Sequence, residues 1–254
     1  MPATTRMRWC LGNLWVRPVV SSPMNRMMDS VRAVIFDMDG VMLDTEPLER
    51  ENFRRAAADF GRTINDDIYS QVVGRNSFDT KEFFESAYGA EFPYEDIRAR
   101  WREYTYAHTD RFGVERKPGI GELLDRISAL RLPMAVATST KRDRALGLLE
   151  HSGLLPYFSA IVGGDEVQNG KPDPEIFLTA AARLGAESQY CLVFEDSAYG
   201  IRAAHAAGMI PILVPDTVQP PAEVRQLASR VFTSLHAARV LFEDRQLIPD
   251  NSRA

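Results

Sequence analysis

The sequence predicts an α/β protein, a doubly wound (Rossmann-like) parallel sheet with an inserted α-helical bundle. Three observations predict it. Short apolar runs alternate with helical segments from Lys117 onward. One further run, Val31 to Phe36, stands well ahead of them. The stretch between, residues 46–114, holds 13 of the 24 aromatic residues and no strand-like run. Alternation of strands and helices at this spacing implies a parallel sheet joined by right-handed crossovers.

The first run, Val31-Arg32-Ala33-Val34-Ile35-Phe36, reads as a strand buried on both faces. It ends in Asp37-Met38-Asp39-Gly40. In open α/β sheets ligands bind beyond the carboxyl ends of the strands, which is where these two carboxylates stand. Taken alone, Asp-x-Asp-Gly is equally an Asp–Gly turn after a strand, so the rest of the chain must decide.

Pro47 suits the first turn of a helix. Helical spacing follows in Phe53/Ala56/Ala57/Phe60, Ile68/Val72, Phe83/Phe84/Ala87 and Ile97/Trp101/Tyr104/His108. Gly61, Gly74 and Gly89 stand where these helices should end. The aromatics of this bundle read mainly as core.

Beyond it, Pro118-Gly119 opens a helix through Ile127. An apolar strand from Leu132 ends in Thr138-Ser139-Thr140, and a helix covers Arg142 to His151. Phe158 to Val162 is a strand, followed by the loop Asn169-Gly170-Lys171-Pro172-Asp173-Pro174. Asp173 and Pro174 suit the start of a helix from Glu175 to Leu184. The strand Tyr190 to Phe194 ends in Glu195-Asp196, and a helix from Ile201 to Ala207 stops at Gly208. Met209 to Val214 closes with Pro215-Asp216. Val231-Phe232 reads as an edge strand before a last helix.

With 254 residues, 45% hydrophobic and 26% charged, the composition is that of an ordinary globular protein. A net charge of −5 gives no nucleic-acid footprint. Cys10 and Cys191 make neither a disulfide framework nor a zinc set, and Cys191 reads as a buried thiol. No apolar run approaches the roughly 20 residues needed to span a bilayer. The expectation is a cytoplasmic monomer without nucleic-acid or membrane partners. In residues 1–28, Gly12, Asn13 and Arg17 interrupt the apolar patch that a secretory signal would need. That segment reads as a disordered extension, with Met27 or Met28 as the native start.

The strand ends collect Asp37/Asp39, Thr138/Ser139 and Glu195/Asp196, and a loop adds Lys171. A parallel sheet places all of these on one edge. Hard oxygen ligands suit Mg²⁺. A lysine and a hydroxyl beside a metal suit a phosphoryl group, whose charge must be neutralised during transfer.

The ordered set Phe-Asp-Met-Asp-Gly, Ala-Thr-Ser, Gly-Lys-Pro-Asp-Pro and Phe-Glu-Asp-Ser resembles the four signature motifs of the haloacid dehalogenase-like hydrolase superfamily. The match covers about residues 31–240 and is nearest to the sugar-phosphate phosphatases and beta-phosphoglucomutases. The resemblance implies a core of residues 29–45 and 115–254 and a small helical cap over 46–114. It implies Asp37 as nucleophile, giving an aspartyl-phosphate, and Asp39 as general acid and base. Thr138 would bind a phosphate oxygen, helped by the Ser139 backbone N–H, or would cap the next helix. Lys171 would steady Asp37 and the phosphate. Mg²⁺ would take Asp37, the Asp39 carbonyl, Asp196, and Glu195 directly or through water. Arg75, in the loop that sets specificity in such caps, could grip a second anionic group of a small phosphorylated metabolite. Lys117 reads as an ordinary hinge lysine.

Asp39 argues against dehalogenation, which needs no acid for an alcohol leaving group. A receiver-type signalling domain would be about half as long and would lack the helical insertion. A non-catalytic phosphate binder would be expected to lose the nucleophile or the acid. Beta-phosphoglucomutases carry a histidine a few residues after the Asp-Thr that is here Asp44-Thr45. This chain has Glu49 there, so a phosphatase is favoured and the mutase is the alternative.

Overall fold

The computed structural model describes residues 23–73, 75 and 77–243. Its order begins with α1 (Pro23–Ser30), β1 (Ala33–Phe36), α2 (Glu46–Asp59), α3 (Asp66–Ser70), α4 (Ser77–Tyr88) and α5 (Tyr94–Phe112). It continues with α6 (Ile120–Ala129), β2 (Met134–Ala137), α7 (Arg142–His151), β3 (Ala160–Val162) and α8 (Glu175–Leu184). β4 (Cys191–Glu195), α9 (Ala198–Ala206), β5 (Ile210–Leu213), α10 (Ala222–Arg225), β6 (Arg230–Val231) and α11 (Leu235–Ala238) complete it.

All sheet pairings are parallel, in the order β3-β2-β1-β4-β5-β6. The order reverses between β1 and β4, and a crevice opens at such a switch point beyond the strand ends. β1 is therefore central, with Val34 opposite both Met134 and Leu192. Because strand side chains alternate, β1 feeds two cores. Val34 and Phe36 pack with Leu123, Leu124 and Ile127 of α6. Ala33 and Ile35 pack with Ala180 and Ala181 of α8 and Ala203 and Ala204 of α9. Small residues on both sides of that second interface let α8 and α9 lie close to the sheet. Phe36 stacks on Phe194 across the β1–β4 pair, with ring centroids 4.9 Å apart.

Helices α2 to α5 pack around their own apolar cluster, which includes Phe53, Tyr69, Phe84, Phe92 and Ile97. Phe84 stacks on Phe92 at 5.0 Å, and Trp101 stands edge-on to Phe53 at 5.1 Å. Most aromatics of this segment are core, as its helical spacing predicts. Two connections leave and re-enter the sheet side by side. The Asp44 N–H donates to the Glu115 carbonyl, and the Lys117 N–H to the Met42 carbonyl, both at 2.9 Å.

Of residues 1–28, the structure describes those from Pro23 onward. α1 begins at Pro23, and Met28 is buried in the larger core cluster. Residues 1–22, with Cys10, and Gly74 lie outside the described residues. Cys191 is a buried free thiol, as expected. Among the described residues no helix is long and apolar enough to cross a membrane.

Candidate active site

The chain leaves β1 into a tight turn closed by the Gly40 N–H donating to the Leu43 carbonyl at 2.9 Å. Gly40 has φ +78°, and a Cβ there would lie 2.3 Å from Asp196 Oδ2. Only glycine meets both demands. The close approach brings the end of β4 against the turn that carries Asp37 and Asp39.

Asp37 is buried, and its backbone N–H donates to the Phe194 carbonyl at 3.0 Å. Lys171, also buried, donates to Asp37 Oδ1 at 2.5 Å and to Glu195 Oε1 at 2.6 Å. One ammonium thus joins the ends of β1 and β4. Asp39 Oδ2 accepts from the Thr140 hydroxyl at 2.8 Å and from the Thr138 hydroxyl at 3.3 Å. Thr138 Oγ1 in turn accepts the Thr140 N–H at 3.1 Å, while α7 starts after Lys141. Thr138 therefore closes the turn after β2 and does not cap the helix. Ser139 is exposed on the same turn.

Glu195, expected to meet the metal directly or through water, turns inward. It is fully buried, and its Oε2 accepts from the Asp196 and Ser197 N–H groups, both at 2.9 Å, and from the Ser197 hydroxyl at 3.0 Å. With Lys171 on Oε1, both oxygens are engaged. A Cβ on Gly200 would fall 1.7 Å from Oε1, so the first turn of α9 must be bare there. The helix N-terminus and its free amides hold Glu195 inward. Asp196 remains beside Gly40.

Burial is the largest influence on all three of these aspartates. It pushes Asp37 up to about 8 against the pull of Lys171, with Glu195 and Asp39 adding repulsion. Asp196 is raised well above the usual range by burial and by the charges of Glu195 and Asp37. Burial raises Asp39, while the hydroxyls of Thr140, Thr45 and Thr138 pull it down. Among the described residues no three His, Cys, Asp or Glu side chains form a metal-binding group. Mg²⁺ does not require one, since it takes one or two carboxylates and keeps several waters. Asp37 and Asp196, crowded and short of positive charge, fit that donor set.

The sequence profile of the haloacid dehalogenase-like hydrolase family matches residues 34–214. The chain belongs to the haloacid dehalogenase-like hydrolase family. This hydrolase is 37% identical over 179 residues to the phosphorylated carbohydrates phosphatase of Thermotoga maritima, covering 70% of this chain and 82% of that one. It is 37% identical over 187 residues to the fructose-1-phosphate phosphatase YqaB of Escherichia coli, covering 72% and 96%. Among solved structures, beta-phosphoglucomutase from Clostridium difficile superposes with a TM-score of 0.67 at 25% identity, covering 81% of this chain and 92% of that one.

The hydrolase site also holds residues that its sequence did not single out. Thr140 is one; a third hydroxyl at the end of β2 was the available signal. Lys117 is another. It donates to Asp216 at 2.5 Å and to Asp44 at 3.1 Å, and Asp216 lies 3.4 Å from the position of a Gly40 Cβ. It therefore ties both connections to the loop after β5. Tyr199, near the start of α9, donates to Asp79 of α4. Arg75, expected to grip an anion, is exposed and rests over the Phe83 ring at 5.3 Å.

Proposed function

We propose that this hydrolase is a Mg²⁺-dependent phosphatase that cleaves a small phosphorylated metabolite, a sugar phosphate or close relative, through an aspartyl-phosphate on Asp37. The observation that carries the reading is the division of labour at the end of β1. Asp37 is held by an ammonium, whereas Asp39, two residues on, is held by hydroxyls. With Lys171 donating to one oxygen, Asp37 is oriented to present the other to phosphorus as a nucleophile. A carboxyl raised by burial and free of a cationic partner can carry a proton.

In the first step Asp37 Oδ attacks phosphorus, and Asp39 protonates the departing alkoxide oxygen. In the second, Asp39, now ionised, takes a proton from water as the water attacks the phosphoryl group and releases Asp37. Lys171 and the Thr138 hydroxyl neutralise and orient the phosphoryl oxygens, and preorganised donors of this kind supply much of the rate. Asp37, the Asp39 carbonyl and Asp196 would hold Mg²⁺, with Glu195 holding Lys171 and the Asp196 backbone in place. The metal, when bound, supplies charge neutralisation at the phosphoryl group. Helices α2 to α5 would act as the cap that encloses the leaving group.

Glu49 stands where beta-phosphoglucomutases carry a histidine, so water is the acceptor in this reading. The test is phosphate release from p-nitrophenyl phosphate and from a panel of phosphorylated metabolites, with and without Mg²⁺. Metal-dependent release from the panel supports the reading. Metal-independent turnover, or transfer of phosphate between positions of a sugar, would contradict it.

A further inference from the structure

The lysine that ties the two connections also ends beside Asp196, and the reaction above gives its partner there no part. Lys117 Nζ donates to Asp216 Oδ1 at 2.5 Å and to Asp44 Oδ1 at 3.1 Å. The Lys117 and Asp216 side chains are 20% and 15% exposed, so salt screens their charges only weakly. An ion pair between a connection and a loop can be a strut and nothing more. A strut uses one oxygen of Asp216.

The other oxygen faces the opposite way. A Cβ on Gly40 would stand 2.3 Å from Asp196 Oδ2 and 3.4 Å from Asp216 Oδ2. Both oxygens therefore converge on the bare backbone that follows the Asp39 carbonyl. Sheet register fixes this meeting. Glu195 lies opposite Leu213, and the Val214 N–H donates to the Glu195 carbonyl at 2.8 Å, so the loop leaving β5 runs beside the end of β4. Two like charges aimed at one space repel unless a cation joins them. Burial chiefly raises Asp196, with the charges of Glu195 and Asp37 next, and Asp216 adds to them. The nearby lysines are already committed. Lys171 serves Asp37 and Glu195, Lys117 serves Asp44 and Asp216, and Asp196 comes in addition.

We propose that Asp216 is a positioning residue for the metal, accepting hydrogen bonds from the waters of the Mg²⁺ that Asp37 and Asp196 would hold, and that Lys117 limits how tightly the ion binds. This rests on the phosphatase reading above and extends the same site. Mg²⁺ keeps several waters when it is held by one or two carboxylates. Carboxylates around those waters orient them and tune the affinity. Lys117 draws on the same carboxylate from its other oxygen, so the connection to the helical bundle and the metal share Asp216.

The test is calorimetric titration of the full chain with Mg²⁺, without substrate. Asp216→Asn is expected to raise the Kd by about tenfold. Lys117→Met is expected to lower it by about threefold, because a competing positive charge is gone. Asp44→Asn breaks the other tie of the same lysine and is expected to leave the Kd within about twofold. A strut responds differently: loss of either end of the Lys117–Asp216 pair loosens the same loop and moves the Kd in one direction. The proposal is overturned if folded Asp216→Asn binds Mg²⁺ like the wild type, if Lys117→Met fails to tighten binding, or if Asp44→Asn weakens it as much as Asp216→Asn. Were Asp216→Asn not to fold, the sign of the Lys117→Met change decides alone. These results leave the phosphatase reading standing, whereas a wild type that binds no Mg²⁺ removes both.

Discussion

Lys171 Nζ stands 2.5 Å from Asp37 Oδ1, although the two are 134 residues apart in the chain. The same ammonium reaches Glu195, and its charge faces the Phe177 ring at 4.9 Å. One cation therefore serves two buried carboxylates and is itself out of water.

Removing that cation strands both carboxylates. Lys171→Ala is expected to lower stability by about 3 kcal/mol at neutral pH and to cut kcat by about a hundredfold or more. Part of the stability should return on acidification, because the stranded carboxyls then take protons. Thermal melts across pH together with initial rates check this.

Thr140 lowers the pKa of Asp39 by donating to it. Thr140→Val removes that stabilisation of the ionised form, so the Asp39 pKa rises further. The alkaline limb of kcat/KM, where the acid form is lost, should move to higher pH. The measurement is a pH–rate profile of both proteins, and an unmoved limb would remove Thr140 from the proton path.

The sheet and most of the site were legible because strand ends in a parallel sheet share an edge. Asp37, Asp39, Thr138 and Glu195/Asp196 follow from that rule alone, and Lys171 needed the motif around it. The orientation of Glu195 was not legible, for a physical reason. Sequence cannot say which of two adjacent carboxylates turns inward, and here the amides of Asp196 and Ser197 settle it. Lys117 with Asp216, and Tyr199 with Asp79, lie 99 and 120 residues apart, so no local pattern announces them. Strand limits also shifted. The apolar run begins at Val31, but pairing with β4 begins at Ala33, since ladder hydrogen bonds and not hydropathy define the strand.

Metal binding should be visible without turnover. Asp37 and Asp196 are both pushed up by burial and by neighbouring carboxylates. A divalent cation relieves that repulsion and stabilises the folded state by mass action, by about 2.7 kcal/mol at a hundredfold excess over Kd. Saturating Mg²⁺ should raise the Tm of the wild type, and EDTA should reverse the rise. Asp196→Asn should abolish most of the shift.

Glu49 predicts a pH dependence of stability. Burial, with the charges of Asp39 and Glu46, raises its pKa to about 8. The unfolded chain ionises it in the usual glutamate range, so between that range and pH 8 the folded state binds more protons. Its contribution is complete at low pH and is lost as pH rises toward 8. Glu49→Gln keeps the Thr105 contact without the charge. It should flatten the fall in stability across this window and stabilise the protein at pH 8 by about 1–2 kcal/mol. Denaturant titrations at several pH values decide it.

The central claim is that Asp37 carries the phosphoryl group. It is tested most directly by quenching the enzyme in acid during turnover, reducing the acyl phosphate with borohydride, and locating the product by peptide mass spectrometry. The account predicts homoserine at position 37 in the wild type, more of it in Asp39→Asn, where no base activates water, and none in Asp37→Asn. Turnover without any modification at position 37, or full activity in Asp37→Asn, would contradict it.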